Sequence, residues 1–310
     1  MSEVEHGEQL LMEPLNDSTG FYIKATRQVG EWHTKHHQKL AIYDTPHYGR
    51  IFQLDGCNMT SEREEFVYHE NLIHPALTAQ PAPKKVLIVG GGDGGSAEEA
   101  LKHPSVEQVT VCETDAEVIA IAKEHFFAVH RGAFDNPKLR VQIGDAAKFI
   151  RDTHERFDLI ALDVNDPVGP AEALYSADFF QHCRAALAPG GALVLHIGAP
   201  VARPERVAEL AQRLNGIFRI VRPYTMYIPL YGAQWTMAVC SDKLDPKSLT
   251  ADEIDRRIEQ RKLQDLRFYN GETHEGVFAL PNFIRDLVNP PRLKLQTRAR
   301  RLGIVRAAAK

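Results

Sequence analysis

Between Val86 and Asp163 the chain repeats one pattern four times: a short apolar run that leads into a carboxylate. VLIV runs through a glycine stretch to Asp93, VTVC ends at Glu113, LRVQIG at Asp145 and LIAL at Asp163. Helical segments separate the runs: SAEEALKH, AEVIAIAKEHF and AAKFIRDT. ADFFQHCRAALA follows the fourth, and a further strand, ALVLHIG, follows Pro189-Gly190-Gly191. Unbroken apolar runs of about five residues suit strands buried on both faces. Strands alternating with helices in this way permit few folds: a parallel sheet covered by helices, with right-handed crossovers that point the strands the same way. The C-terminal ends of such strands share one edge, and ligands bind in the crevice there. The four acids are therefore expected on one rim.

Upstream, residues 1 to about 75 hold runs rich in β-branched and aromatic residues, GFYIKATRQV, QKLAIYDT and RIFQLDG. Asn16-Asp17, Thr45-Pro46 and Asp55-Gly56 separate them as turn signals, so this part is expected to be a small antiparallel β unit. EEFVYHENLIHPALTA has helical spacing, and Ser61 followed by Glu64 predicts a capping box at its start. The expected division is 1–76 as an N-terminal β-strand domain with its following helix, 77–288 as the catalytic domain and 289–310 as a basic tail. That tail, with several Arg and Lys and no acid over its last 20 residues, is expected to be solvated.

A chain of 310 residues has ample core for one large or two modest domains. Its net charge of -4 provides no global attraction to nucleic acid or anionic membrane, so neither is expected as a partner. No apolar run approaches the roughly 18–20 residues that span a bilayer. The acidic start MSEVEHGEQ does not resemble a signal peptide, and the four scattered cysteines form no C-x-x-C pair. A cytoplasmic protein is expected. His36-His37 and His69…His74 lack a third convergent ligand, so no metal is expected.

The loop Gly90-Gly91-Gly92-Asp93-Gly94-Gly95 satisfies G-x-G-x-x-G, which by itself points weakly to a dinucleotide. Asp93 stands where a pyrophosphate would have to sit, and two anions at about 4 Å repel by about 1 kcal/mol even in water. The loop therefore suits a cationic ligand. Glu113 can accept hydrogen bonds from a ribose diol, and Asp145-Ala146 can take an exocyclic amine. These residues describe a nucleoside held across the sheet edge, as readily an adenosyl-sulfonium as a dinucleotide. Asp163-Val164-Asn165-Asp166-Pro167-Val168-Gly169-Pro170 then sets two carboxylates three apart in a stiffened loop, which suits an amine nucleophile.

Together GGGDGG, the strand ending at Glu113, GDA and D-x-x-D-P-x-G-P-A resemble the polyamine aminopropyltransferases, the spermidine synthase family. The likeness runs from about Gln38 to Phe283 and includes TSEREEFVYHE, IPLYG and YNGETHEGVFALPNF. It implies a Rossmann-like, S-adenosylmethionine methyltransferase-type α/β domain behind a small N-terminal β domain. It also implies aminopropyl transfer from decarboxylated S-adenosylmethionine, a co-substrate rather than a bound cofactor, to a small-molecule amine. Putrescine is the expected acceptor, giving spermidine and methylthioadenosine, and the assembly implied is a homodimer or homotetramer. By position, Gln38, Glu113, Asp145, Ala146 and Pro170 would bind the methylthioadenosine portion. His69 and Asp93 would lie along the transferred chain, and Asp163 would accept the proton. Val164, Asn165 and Asp166 would line the polyamine slot, with Tyr68, Tyr231 and nearby Trp235 as its wall.

One departure bears on the acceptor. Met59 stands where many family members have glutamine, so agmatine or cadaverine are alternatives to putrescine. An S-adenosylmethionine-dependent methyltransferase is the nearest rival activity. The D-x-x-D-P loop disfavours it, as does the lack of a partner for the donor carboxylate in the Asp93 loop.

Overall fold

The computed structural model describes residues 9–289, except Val168 and the side chain of Pro170; apart from Asn289, the expected basic tail lies outside the described residues. The chain opens with the hairpin β1 (Gln9–Pro14) and β2 (Gly20–Ala25). A four-stranded antiparallel sheet follows: β3 (Arg27–His33), β4 (Lys39–Thr45), β5 (Gly49–Leu54) and β6 (Cys57–Ser61). The three turn signals fall at the β1–β2, β4–β5 and β5–β6 connections. In the last of these both Asp55 and Gly56 have positive φ, the requirement of a two-residue type I′ turn. The expected antiparallel β unit is thus present, built as a hairpin and a four-stranded sheet.

The second sheet has seven strands in the order β12-β13-β11-β10-β7-β8-β9. They are β7 (Lys85–Gly90), β8 (Gln108–Glu113), β9 (Leu139–Ile143), β10 (Phe157–Asp163), β11 (Leu187–Gly198), β12 (Ile220–Ile228) and β13 (Ala233–Ser241). β7 to β11 are mutually parallel, as the β–α alternation predicts. β13 runs against both of its neighbours, so the sheet is mixed at one edge. No long apolar helix separates β12 from β13; a short connection through Pro229–Tyr231 folds one back along the other.

Helices α1 (Phe66–Ala79), α2 (Gly95–Leu101), α3 (Ala116–His125), α4 (Phe127–His130), α5 (Ala146–Asp152), α6 (Ala177–Ala186) and α7 (Pro204–Asn215) connect and cover the strands. On one face Phe179, Phe180, Leu210 and Leu214 pack on Leu87, Phe157, Ile160 and Leu162. On the other Val67, Leu72, Ile73 and Leu77 of α1 pack on Val86, Ile88, Leu159 and Val194. Because α1 shares its core with the large sheet, we propose that the domain boundary falls before α1 rather than at residue 76.

The helix start also differs from expectation. Ser61 Oγ does donate to Glu64 Oε1 at 2.8 Å, but α1 begins only at Phe66 and Glu65 at its N-cap makes no side-chain cap. The pair stabilises the approach to the helix instead of capping it. A few residues on, the fully buried Glu70 accepts backbone N–H groups from Arg267, Phe268 and Tyr269 at 2.7, 2.9 and 2.7 Å. Truncating it strands those donors, so Glu70→Ala is expected to lower unfolding free energy by at least about 2 kcal/mol in denaturant titration. An unchanged midpoint would show that the loop finds other partners.

Candidate active site

Strand order reverses where β7 and β10 lie side by side, and the crevice opens at their C-terminal ends. There Gly90 pairs with Asp163, and Gly91 N–H donates to the Asp163 carbonyl at 2.9 Å. The glycine loop is thereby fixed against the end of β10. A Cβ on Gly91 would lie 3.1 Å from Asp163 Oδ2, and one on Gly92 would lie 3.0 Å from Glu113 Oε2. Between these two carboxylates the loop has room for backbone only. Gly95 is tighter still: a Cβ there would sit 2.2 Å from the His69 ring.

His69 enters this gap from α1. Its Nδ1 lies 2.8 Å from Glu65 Oε2 and its Nε2 lies 3.4 Å from Asp93 Oδ2. Both partners accept hydrogen bonds, so the ring carries two N–H donors. Burial opposes its charge, but Asp93 and Glu65 outweigh it and hold the imidazolium well above its ordinary pKa. Asp93 responds in the opposite sense: burial works against it, and His69 draws it below the usual carboxylate range. Behind them Arg131 Nη2 sits 3.0 Å from Glu65 Oε1. Charges therefore alternate along Arg131, Glu65, His69 and Asp93. The next group is another anion.

That group is Asp163. Its Oδ2 accepts from Ser96 Oγ at 2.6 Å, and the buried Tyr68 phenol faces it. Burial first, and Asp93 second, push its pKa up to about 6. One ligand atom each from His69, Asp93 and Asp163 lie within 4.8 Å of one another. The convergent trio missing from the sequence thus exists, formed by His69 with two carboxylates rather than with His74. Since both nitrogens of His69 serve carboxylates, the ring offers no lone pair. The opening suits an ammonium better than a metal ion.

Along the rim, Glu113 Oε1 accepts Asp115 N–H at 3.0 Å, and burial raises its pKa to about 7. Gly144 N–H donates to the Glu113 carbonyl at 2.9 Å, which brings Asp145 alongside. Asp145 is exposed and caps α5 through Ala147 N–H at 2.8 Å. Its Oδ1 is thus committed to the helix, while Ala146 is buried behind it. Gln38 lies in the β3–β4 turn, which docks on α3 through Lys35 N–H to Glu117 Oε2 at 2.8 Å. The backbone of Pro170 belongs to the 3-10 segment Gly169–Tyr175; its side chain lies outside those described.

The other side of the crevice is built from the strand-end loop and three aromatic residues. Tyr68, Tyr231 and Trp235 form a run of ring contacts, with centroids 5.9 and 5.2 Å apart. The Tyr231 hydroxyl donates to the Met59 carbonyl at 2.9 Å, while the Met59 side chain packs among Leu40, Ile42 and Phe52. Tyr175 and His196 hold the Asn165 and Val164 carbonyls at 3.1 and 2.9 Å. Asp166, expected to line the polyamine slot, forms an ion pair with Arg206 of α7. Arg206, His196, Ser96, Glu65 and the half-buried Glu13, whose pKa desolvation lifts to about 7, were all missed. Only His196 carried a signal, as a polar residue near the end of a buried strand. The others belong to helices or strands whose meeting with the rim no local pattern reveals.

Comparison with known proteins bears on this arrangement. Residues 65–252 match the spermine/spermidine synthase domain model. A polyamine aminopropyltransferase of Nitrosomonas europaea is 45% identical over 92% of this chain and 87% of its own length. The chain belongs to the spermine/spermidine synthase family. A second polyamine aminopropyltransferase, from Pseudomonas syringae pv. tomato, is 38% identical over 89% of this chain and 96% of its own. A crystal structure of spermidine synthase in complex with the transition state analogue AdoDATO superposes with a TM-score of 0.85, at 32% identity, covering 93% of this chain and 97% of that one. The spermidine synthase of Thermotoga maritima gives 0.82 at 31% identity. The family expectation, the α/β fold behind a small β unit and the aminopropyltransferase activity all hold. Among the described residues no helix is long and apolar enough to cross a membrane.

The Gly95–His69 contact is open to test. Gly95→Ala is expected to displace the imidazolium from Asp93 and lower aminopropyl transfer by about 100-fold, the scale of a 1 Å misplacement. Steady-state rates with circular dichroism as a fold check would measure it; an unimpaired rate would show that His69 has room to yield.

Proposed function

We propose that this chain transfers the aminopropyl group of decarboxylated S-adenosylmethionine to putrescine, giving spermidine and methylthioadenosine. The supporting observation is the charge sequence at the crevice. Alternation from Arg131 to Asp93 ends against Asp163, so two adjacent carboxylates share the single His69 cation. A donor bearing a sulfonium and an ammonium, and an acceptor bearing two ammonium groups, supply further positive charge.

In this proposal the donor's ribose lies on Glu113, with Gln38, Asp145, Ala146 and Pro170 around the rest of the methylthioadenosine portion. Asp93 takes the donor's terminal ammonium. The acceptor lies along Tyr68, Tyr231 and the 163–166 loop, with one nitrogen at Asp163. That nitrogen bonds to the carbon next to sulfur as the carbon–sulfur bond breaks. Sulfur keeps the electron pair and leaves as a neutral thioether, so no general acid is needed. The proton lost by nitrogen goes to Asp163.

A free alkylamine has a pKa near about 10, far above an ordinary carboxyl. Raising Asp163 to about 6 closes part of this gap, and burial of the ammonium closes more by favouring its neutral form. Methyl transfer from intact S-adenosylmethionine is less well supported, because that donor brings a carboxylate to Asp93. His69 cannot neutralise it while both ring nitrogens face Glu65 and Asp93. The homodimer or homotetramer implied by the resemblance has one feature in its favour: exposed Leu10, Met12 and Tyr22 share one face of the β1–β2 hairpin. Sedimentation of the full chain is expected to give at least a dimer mass, and a monomer mass would remove that assignment.

Mass analysis tests the chemistry directly. The purified chain with decarboxylated S-adenosylmethionine and an amine panel should release methylthioadenosine and spermidine, fastest with putrescine; S-adenosylhomocysteine from the intact donor would instead establish methylation. Asp163→Asn is expected to lower kcat at least about 100-fold and to erase the acid limb of the rate profile. In the unmodified enzyme that limb should fall as pH drops through about 6, where the carboxylate takes up its proton. The same substitution should raise the thermal midpoint at pH 7 and leave it unmoved near pH 4. The folded pKa exceeds the ordinary carboxyl value of 3.8, so the stability associated with this group is present below about 4 and lost as pH climbs through about 6. A near-normal rate in the variant would exclude Asp163 as the proton acceptor.

A further inference from the structure

At the far end of the acceptor loop two buried atoms face each other without a hydrogen-bond partner: Asp166 Oδ1 and His196 Nδ1, 3.9 Å apart. His196 is 4% exposed, at the end of β11. Its tautomer follows from its neighbours. Nε2 lies 2.9 Å from the Val164 carbonyl and 2.8 Å from the Tyr175 hydroxyl, which itself points to the Asn165 carbonyl at 3.1 Å. Carbonyls only accept, so the tyrosine hydrogen belongs to Asn165 and the ring hydrogen to Nε2. Burial, with help from the Arg206 guanidinium, keeps the ring neutral against the pull of Asp166 and Val164. Nδ1 is then a lone pair. Asp166 Oδ2 is taken by Arg206, which leaves Oδ1 as the second lone-pair atom.

Two acceptors cannot satisfy each other, and burying both without a donor is costly. A nitrogen about 2.9 Å from each would see them at an angle of about 85°, within reach of two hydrogens on one tetrahedral nitrogen. The parallel hydrogens of a guanidinium fit acceptors spaced like the two oxygens of one carboxylate, about 2.2 Å, and match this pair poorly. Tyr175 and Trp235 flank the imidazole, with ring centroids 5.8 and 5.3 Å away. Trp235 Nε1, a donor, is also buried without a partner on the ring beside His196, but among the described residues no hydrogen bond reaches Nδ1.

We propose that His196 Nδ1 and Asp166 Oδ1 together receive the distal ammonium of the acceptor, and that His196 is a specificity-determining residue favouring a terminal alkylammonium over a guanidinium. The assignment rests on the aminopropyl-transfer proposal and adds to it the chemistry of the acceptor's remote end. Arg206 acts here as a positioning residue: it occupies one oxygen of Asp166 and holds the other toward the imidazole.

The test compares 1,4-diaminobutane with n-butylamine, which lacks the distal nitrogen, and with agmatine, which carries a guanidinium there. His196→Leu is expected to raise KM for 1,4-diaminobutane at least about 10-fold, the scale of a hydrogen bond to a charged group. KM for n-butylamine and for the donor should move less than about 2-fold, and preference over agmatine should shrink. His196→Gln, whose amide oxygen restores an acceptor, should recover most of the loss. Equal changes for the diamine and the monoamine, as a merely structural histidine or a resident water would produce, would overturn the assignment. So would an unchanged diamine KM. Should His196→Leu fail to bind methylthioadenosine, the unmodified protein still decides: its His196 Nδ1 nitrogen resonance should shift with 1,4-diaminobutane and stay put with n-butylamine. The absence of that shift sinks the subsite. Failure of the unmodified enzyme to form methylthioadenosine with any amine sinks the transfer proposal instead.

Discussion

Two carboxylates, Asp93 and Asp163, occupy one crevice, and the properties of the site follow from keeping both there. Like charges this close cannot both remain ordinary acids. The structure separates them by pairing the His69 imidazolium with Asp93, while Asp163 is hydrogen-bonded to a hydroxyl and a phenol and burial and Asp93 outweigh the pull of the imidazolium on it. One carboxylate is held firmly ionised, fit to bind a cation, and the other becomes basic enough to handle a proton. Two residues of the same type thereby acquire opposite shifts in proton affinity from their surroundings.

That separation depends on parts of the chain far from the acids. His69 comes from a helix that precedes the catalytic sheet, and it fits only because Gly95 has no side chain. Glu65 and Arg131 extend the charge chain from α1 and from the turn after α4. The backbone bond from Gly91 to the Asp163 carbonyl ties the glycine loop to the neighbouring strand. The site is rigid because each charged side chain is held at more than one point, often by another ionised group.

Expectation and structure part company in instructive places. Ser61 and Glu64 have capping-box spacing, yet their hydrogen bond closes before the helix begins, because α1 starts where its apolar face meets the sheet. Asp145 was assigned to a ligand amine and also caps α5; a strand-end acid that opens a helix has both opportunities, and spacing alone does not separate them. The partner of Asp166 in the stiffened loop has no sequence signal, because Arg206 lies 40 residues away and reaches it through packing of α7. The histidine–carboxylate trio was invisible for the same reason: His69, Asp93 and Asp163 are joined by strand order, not by sequence interval.

Local pattern alone determined the alternation of buried strands and helices, the glycine loop and the carboxylate at each strand end. These features depend on short-range periodicity and backbone sterics, which adjacent residues specify among themselves. Tertiary structure alone decided which acid has the higher proton affinity, which acquired a histidine counter-charge, and which way β13 runs. Proton affinity and pairing depend on burial and on atoms a few ångströms away in space, and those atoms arrive from segments that no sequence interval connects.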